Sequence, residues 1–184
     1  MRPGSDTRVL LGNPQQQHYH DAKLALLLQL CQTREGAKNV LHASLFRTIE
    51  QSGLFSVDPE LQADTTDPKA LEKHYALLVK AARIIGAAIV SRGSHNVLQG
   101  RRFLTEHRML VMHVLKRSAG IAGGGGKLDR ALLERIDDLA EAFMILITAT
   151  GFLEVSEKEE RTRIMIFPCN GASLAWHNTA PPWS

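Results

Sequence analysis

The sequence contains little cysteine, few aromatic residues and no long apolar run. Its 184 residues include two cysteines, Cys31 and Cys169, and 5% aromatic side chains. Two cysteines exclude a disulfide-rich scaffold and a zinc site built from cysteine alone. The longest apolar runs, Leu24–Leu28 and Ile84–Val90, are far shorter than the ~20 residues that span a bilayer, and the N-terminus lacks the apolar core of a signal peptide. These absences predict an intracellular protein without direct membrane insertion.

Helical periodicity extends along most of the chain. Apolar residues recur at spacings of three and four, and Asn13-Pro14 and Asp67-Pro68 precede two of these stretches. An Asn or Asp followed by proline is typical of a helix N-terminus. The clearest spacing predicts a helix over 68–92 that Asp67 caps. Further helices are predicted over 14–32, in two short pieces separated at Ser44, over about 95–118 with a loosening at Gly100, and over about 128–150.

These stretches predict an all-α fold, since no segment has a convincing strand pattern. Long helices joined by short glycine and Asp-Pro turns favour stacked antiparallel helices, as in an α-solenoid segment of the HEAT or armadillo kind. The predicted organisation has three parts. Residues 1–13 are the end of an upstream segment or a disordered start, residues 14–154 form the α-helical solenoid segment, and residues 155–184 form a charged, disordered tail.

The sequence predicts no cofactor, no metal site and no small-molecule substrate. The glycine run before Lys127 lacks the glycine and Ser/Thr spacing of a phosphate-binding P-loop. The eight histidines are not spaced to share an ion, and the acidic cluster over 134–141 has basic neighbours but no Glu-x-x-His pair. The nucleophile motif Gly-x-Ser-x-Gly is absent as well. These patterns favour a protein that is not an enzyme.

Charge is distributed unevenly, although the formal net charge is only +3. Between Ser91 and Gly120, six basic residues stand against one acid, Glu106. The predicted basic patch consists of Arg101, Arg102, Arg108, Lys116 and Arg117. A basic helical module that binds nucleic acid is one interpretation of this patch. It is the less favoured one, because single-strand binding uses several stacking aromatics and only Phe103 lies nearby.

Four packing and turn motifs follow one another along residues 11–154. They are Leu-Gln-Leu-Cys-Gln-Thr-Arg-Glu-Gly-Ala-Lys at 28–38, Leu-Phe at 45–46 with Ser-Gly-Leu-Phe-Ser-Val-Asp-Pro-Glu-Leu at 52–61, Ile-Val-Ser-Arg-Gly-Ser-His-Asn at 89–96 with Arg-Phe-Leu-Thr-Glu-His-Arg at 102–108, and Ala-Thr-Gly-Phe-Leu-Glu at 149–154. Together and in this order they resemble the C-terminal part of the largest α-helical scaffold nucleoporins of the inner ring of the nuclear pore complex. The tail over 168–184 departs from that family, so no family function is carried onto it.

The resemblance implies an architectural protein of the nuclear pore complex, in the nuclear envelope, that supports nucleocytoplasmic transport of protein and mRNA. It also implies other nucleoporins as partners. Among them is a linker nucleoporin, which contributes a short helix and ties the solenoid to the coiled-coil trimer lining the transport channel. A generic helical-repeat adaptor that binds peptides outside the pore is the alternative that the residues leave open.

The last helix is the predicted docking site for that partner helix. Residues 140–149 are apolar nearly all round, whereas the terminal element of a solenoid has a stacking neighbour on one side only. Either the helix over 68–92 and the tail cover the surplus face, or the face forms a groove for an amphipathic helix. The anchors expected for such a groove are Leu139, Phe143, Ile147 and Phe152. Phe143 is expected to matter most, because large aromatics at the centre of a groove carry much of the binding energy.

Overall fold

The computed structural model describes residues 14–56, 68–121 and 130–154, where the regular structure is helical and no strand occurs, as the sequence predicts. The helices, numbered in chain order, are α1 (Pro14–Cys31), α2 (Arg34–His42), α3 (Leu45–Ser52), α4 (Pro68–Arg92), α5 (Val97–Glu106), α6 (Arg108–Ser118) and α7 (Arg130–Thr150), with a 3-10 helix over Gly93–Asn96 between α4 and α5. The chain divides into two compact units, Met1–Phe152 and Leu153–Ser184, and these helices all belong to the first.

Proline starts two of the helices at the predicted positions, since α1 begins at Pro14 and α4 at Pro68. The predicted cap of α4, Asp67, lies outside the described residues, as do the predicted terminal segments 1–13 and 155–184. The short helix α2 has a complete cap within the described residues. The hydroxyl oxygen of Thr33 accepts a hydrogen bond from the N–H of Gly36 at 3.1 Å, which satisfies one of the free donors of a helix N-terminus.

The loosening expected at Gly100 is not observed, because the chain breaks at His107 instead, between α5 and α6. Gly100 is buried inside α5, where a methyl group added to it would lie 2.7 Å from Cγ2 of Thr150. Glycine therefore permits the close approach of α5 to the end of α7 and does not weaken the helix pattern. A sequence pattern alone does not distinguish these two uses of glycine.

Helices α1, α4 and α7 lie side by side in one layer and run in the same direction. Lys80 of α4 donates a hydrogen bond to Asp21 in the first half of α1 at 2.6 Å. Near the other end of α4, Ser91 donates to the carbonyl oxygen of Cys31 at 2.6 Å. Toward α7, Arg83 donates to Asp138 at 2.9 Å, and a methyl group added to Gly86, further along α4, would lie 3.9 Å from Cγ2 of Ile145, further along α7. Residue numbers thus rise together along the three helices.

The connecting helices return in the opposite direction and form a second layer. Ser118 at the end of α6 donates to Asp137 near the start of α7 at 2.7 Å, whereas Arg101 near the start of α5 donates to the carbonyl oxygen of Thr150 at the end of α7, also at 2.7 Å. The rings of Phe46 in α3 and Phe103 in α5 are 6.2 Å apart, which joins the return helices of successive pairs. The fold is therefore a stack of antiparallel helix pairs, the arrangement of an α-solenoid.

Two apolar clusters lie on opposite sides of α4. The larger one joins α3 through α7, with Tyr75 and Phe143 completely buried in it. The smaller one joins α1 and α2 to α4 and consists of Cys31, Ala37, Val40, Ile84 and Ala88. Burial raises the pKa of the Cys31 thiol, so this residue behaves as a small hydrophobe.

The position of α4 between two clusters explains its apolar composition. The stretch Lys69–Glu106 is long and apolar enough to pass a composition test for a membrane span, and more than half of its most apolar window is buried inside the protein. A helix that is flanked on two sides by other helices needs apolar residues around most of its circumference. Packing within the layer therefore accounts for this stretch.

Candidate partner-binding site

The four residues predicted to anchor a partner helix lie in the larger apolar cluster. Leu139 and Phe143 have no exposed surface, Ile147 is 7% exposed, and Phe152 is partly buried against the same cluster. The ring of Phe55, which follows α3, lies 6.5 Å from the ring of Phe143. The expectation of a surplus face at Phe143 therefore needs correction. The second layer covers this face of α7, so the four side chains contribute to the core.

Helix α7 exposes three large apolar residues, Leu133, Met144 and Ile145, and the last two lie on a different face from Phe143. Met144 and Ile145 are 49% and 47% exposed, and Ile145 is about 200° around the helix from Phe143 at ~100° per residue. These two residues line a groove of about 570 Å³ between α7 and the end of α4. The complete lining of this α4/α7 groove is Ile89, Val90, Gly93, Glu141, Met144, Ile145, Thr148 and Ala149.

Small residues from both helices and from the 3-10 helix shape the groove. A methyl group added to Gly86 would lie 3.9 Å from Cγ2 of Ile145, which shows how closely the two helices approach beside the groove. Beyond that point Gly93 and Ala149 contribute little side-chain volume to the lining. The groove is therefore a concave apolar strip between two parallel helices, which is the shape that accepts a third helix.

One end of the α4/α7 groove carries negative charge. Glu141 lines the groove and its side chain is 68% exposed. The nearest cation is the guanidinium of Arg83, 3.9 Å from Glu141 but 2.9 Å from Asp138, so Arg83 pairs more closely with Asp138. Glu141 therefore shares the Arg83 guanidinium with Asp138 and keeps most of its side chain exposed.

A second exposed apolar surface lies on the outer face of α1. Tyr19, Leu26 and Leu30 are 62%, 60% and 44% exposed, and the ammonium of Lys23 lies 4.1 Å from the centre of the Tyr19 ring. This surface belongs to a single helix, so it is convex. It therefore differs in shape from a groove between two helices.

The structure divides the predicted basic patch between two helices. Arg101 and Arg102 lie on α5 and have partners within the chain, namely the carbonyl oxygen of Thr150 at 2.7 Å and the carboxylate of Glu106 at 2.6 Å. Arg108, Lys116 and Arg117 follow on α6, beyond the break at His107. At least two of the five cations are thus engaged within the chain, and nucleic-acid binding at this patch stays the less favoured interpretation of the sequence.

The histidines of α4 and α5–α6 contribute to packing. Nδ1 of His107 lies 3.1 Å from the carbonyl oxygen of Phe55, and its ring centre lies 4.7 Å from that of Phe103. Burial lowers the pKa of both His107 and His74, and a backbone hydrogen bond to each ring partly opposes this effect. In the part of the chain that the structure describes, no three His, Cys, Asp or Glu side chains are grouped to hold a metal ion.

Antiparallel helix pairs that stack in two layers define the class of α-solenoid proteins. Residues 3–150 match the family described as nuclear pore complex scaffold, nucleoporins 186/192/205, and the chain belongs to that family. It is 55% identical over 170 residues to nucleoporin NUP192 of Chaetomium thermophilum. This match covers 78% of the chain and 10% of the relative, so the chain spans about a tenth of that relative's length.

The family match confirms the resemblance seen in the four motifs. It also confirms the expected location, since the family is a component of the nuclear pore complex at the nuclear envelope. A generic adaptor outside the pore is thereby set aside. The match extends through α1 to α7, so the groove and the core below it both lie within the family region.

Proposed function

We propose that this chain is a structural, non-catalytic segment of the inner-ring scaffold, and that it docks an amphipathic helix of a linker nucleoporin in the α4/α7 groove. Through this link it supports nucleocytoplasmic transport. The observation that carries the proposal is the exposed, concave apolar strip around Val90, Met144 and Ile145. Contiguous apolar surface of this kind marks interaction sites on folded proteins.

The side chains of the groove suit a helical ligand. Met144 has a flexible, polarisable side chain that adapts to the shape of a partner, while Val90 and Ile145 provide rigid walls on either side. A docked helix would place residues at spacings of three and four along the strip. Glu141 at one end favours a Lys or Arg on the polar edge of the ligand, which sets the direction of docking.

The residues first expected to be anchors have a supporting role in this proposal. Leu139 and Phe143 fix α7 against the second layer, and that contact orients Met144 and Ile145 outward on the opposite face. A substitution at Phe143 is therefore expected to weaken docking only by disturbing the fold. A substitution at Ile145 is expected to weaken docking with the fold intact.

A matched pair of α7 variants tests the proposal. Ile145→Glu places a charge in the groove, whereas Leu133→Glu places the same charge at a comparably exposed position, 39% against 47%, outside it. Binding of the full chain to fluorescently labelled helical segments of the linker nucleoporin is measured by anisotropy. Circular dichroism melting curves establish that both variants are folded.

We expect Ile145→Glu to weaken binding by about tenfold or more, because it charges the centre of an apolar contact. Leu133→Glu should bind within about twofold of the unsubstituted chain. Equal binding by both variants, or a greater loss with Leu133→Glu, contradicts docking in the groove. Absence of binding by the unsubstituted chain to every linker segment contradicts the proposed function itself.

A further inference from the structure

A polar cleft that shares no residue with the α4/α7 groove lies where α2 meets the end of α4. Its volume is about 300 Å³. Its lining residues come from four parts of the fold, namely the second half of α2, the last residue of α4, the 3-10 helix and the first turn of α5. Those residues are Lys38, Leu41, His42, Arg92, His95, Asn96 and Gln99.

The charged and titratable groups of this cleft are all basic. The cleft is lined by two cations, Lys38 and Arg92, and by two imidazoles, His42 and His95. Among the described residues, no carboxylate is part of its lining. The nearest described acid is Glu35, whose carboxylate is 3.7 Å from the Lys38 ammonium with its side chain 76% exposed. An ion pair so exposed is screened and weak, so it leaves the cleft positive.

Among the residues that line the cleft, Arg92 has a buried side-chain donor without a hydrogen-bond partner. Its Nε atom is buried and has no hydrogen-bond partner among the described residues. A buried donor without an acceptor costs free energy, and guanidinium groups are normally paired where water is excluded. Arg92 is also the last residue of α4, where a cation interacts favourably with the helix dipole. That interaction explains the charge at this position but supplies no acceptor for Nε.

The partial charges of the helix ends around the cleft have opposite signs and do not determine the sign of its electrostatic potential. The C-terminal ends of α2 and α4 border the cleft and carry partial negative charge, while the N-terminal end of α5 carries partial positive charge. The side chain of Asn96, which precedes α5, donates to Gln99 at 2.8 Å and does not cap the helix. The side chains of Lys38 and Arg92 therefore set the potential in the cleft.

We propose that this cleft binds the phosphate monoester of a phosphorylated side chain on a peptide partner. A phosphate monoester carries a charge of about −1.5 to −2 and three acceptor oxygens. A carboxylate carries one charge and two oxygens, fewer than the donors of Arg92, Lys38 and two imidazoles can engage. Recognition of a phosphate by converging basic side chains is a common mode of peptide binding.

The neighbouring surface argues against a long acidic or nucleic-acid ligand. The adjoining pocket shares Leu41 and Gln99 with the cleft, and its cations, Arg47 and Arg102, are accompanied by Glu50. Arg102 is in addition bound to Glu106 at 2.6 Å. Positive charge is therefore concentrated at one cleft and does not continue along a track, which suits a single phosphorylated residue.

Nuclear magnetic resonance of the full chain tests this site with a small probe, N-acetyl-O-phosphoserine methylamide. The Nε–H resonance of Arg92 and the backbone amides of His95 and Gln99 report binding. We expect these signals to shift in a saturable manner, and N-acetylglutamate methylamide to bind about tenfold more weakly because it has less charge. Arg92→Gln should abolish the shifts at His95 and Gln99. Arg108→Gln, which removes the same charge from exposed α6, should retain them.

Several outcomes would overturn the proposal. Equal shifts with the glutamate derivative indicate general anion attraction. Binding of inorganic phosphate without binding of the phosphoserine derivative indicates a site for the free ion. Loss of the shifts in the Arg108→Gln variant removes the assignment to this cleft. Because Arg92 is only half-buried, a folding defect is checked by circular dichroism, and Lys38→Gln provides a second variant on exposed surface that should weaken binding as well.

Discussion

The two sides of helix α4 have different contacts. On the side that faces α7, α4 buries Tyr75, Leu78 and Ile85 in a cluster that includes phenylalanines from three other parts of the chain. Toward α1 and α2 it presents Ile84 and Ala88 to a cluster of five mostly small residues. Polar contacts from Lys80 and Ser91 complete that second interface. One helix thus combines a large aromatic core on one side with a thin, partly polar contact on the other.

This difference shows that the helix pairs of a solenoid segment contribute unequally to its stability. Apolar burial contributes about 25 cal/mol per Å², so the aromatic side of α4 holds most of the stabilisation. The α1 side relies on close contact of small residues, and the outer face of α1 leaves Tyr19 and Leu26 exposed. We therefore expect α1 and α2 to open locally at a lower free energy than the remaining helices, as elements with few buried contacts do.

The largest expected effect comes from removing an aromatic ring from the larger cluster. Phe143→Ala should lower the free energy of unfolding by about 3–5 kcal/mol, because it leaves a cavity in a site with no exposed surface. Met144→Ala, at the adjacent and half-exposed position, should cost about 1 kcal/mol or less. Denaturant unfolding measures both. Similar costs for the two variants would show that Phe143 is not part of the core.

Substitution of the adjacent isoleucines Ile84 and Ile85 compares the contributions of the two sides of α4 to stability. Ile85→Ala should cost about 3–4 kcal/mol and affect all helices, whereas Ile84→Ala should cost about 2 kcal/mol, since the small cluster can partly collapse around the missing atoms. Hydrogen exchange separates the two effects. Faster exchange confined to α1 and α2 is expected for Ile84→Ala, and uniform acceleration in that variant would remove the distinction between the sides.

A smaller effect is expected at the cap of α2. Thr33→Ala removes the acceptor for the N–H of Gly36 and should cost about 1 kcal/mol. Thr33→Ser keeps the hydroxyl and should recover most of that loss. The thermal unfolding midpoint provides the measurement. An unchanged midpoint in Thr33→Ala would mean that α2 is held by packing alone. The equivalent substitution at Asp67 stays a prediction from sequence for the start of α4.

Mild acid should lower the stability of the fold through two histidines on the aromatic side of α4, His74 and His107. Burial lowers the pKa of His74 and His107 below the ordinary value of 6.5, so the unfolded chain binds protons at these sites more readily than the folded chain does. Stability is then fully present above pH 6.5 and declines as pH falls from 6.5 toward the lower folded pKa values. Denaturant midpoints between pH 7.5 and 5 (chosen to bracket ~6.5) measure the decline.

A double variant supplies the control for this pH dependence. Replacing both residues, His74→Gln with His107→Gln, removes the two lowered pKa values and should flatten the decline in this range. If the double variant keeps the full decline, other groups are responsible for it.

Much of the fold was predictable because its signals are local. Proline at 14 and 68, left-handed glycine at 53 and 151, and apolar spacing of three and four depend on backbone chemistry near each residue. The all-α class and the stacked pairs follow from those signals. The break at His107 was not predictable, because it depends on contact of its ring with Phe55 and Phe103, residues that only the fold brings together.

The predicted anchor residues lie on the face of α7 that the fold buries, whereas Met144 and Ile145 lie on a face that it leaves exposed. Residues 140–149 are apolar nearly all round, and their periodicity does not say which stripe faces the core. The second layer of helices, with Phe55 behind it, covers Phe143 and leaves Met144 and Ile145 outside. The cleft around Arg92 was not predicted, since its members come from four segments that are adjacent only in the folded chain.

We propose that the α4/α7 groove, and not the outer face of α1, receives the linker helix. Methyl resonances of the full chain, recorded while a linker-nucleoporin helix is added, test it most directly. We predict shifts at the Met144 and Ile145 methyl groups, with the Leu26 and Leu30 methyl groups unchanged. Shifts at Leu26 and Leu30 with none at Met144 and Ile145 would contradict the account.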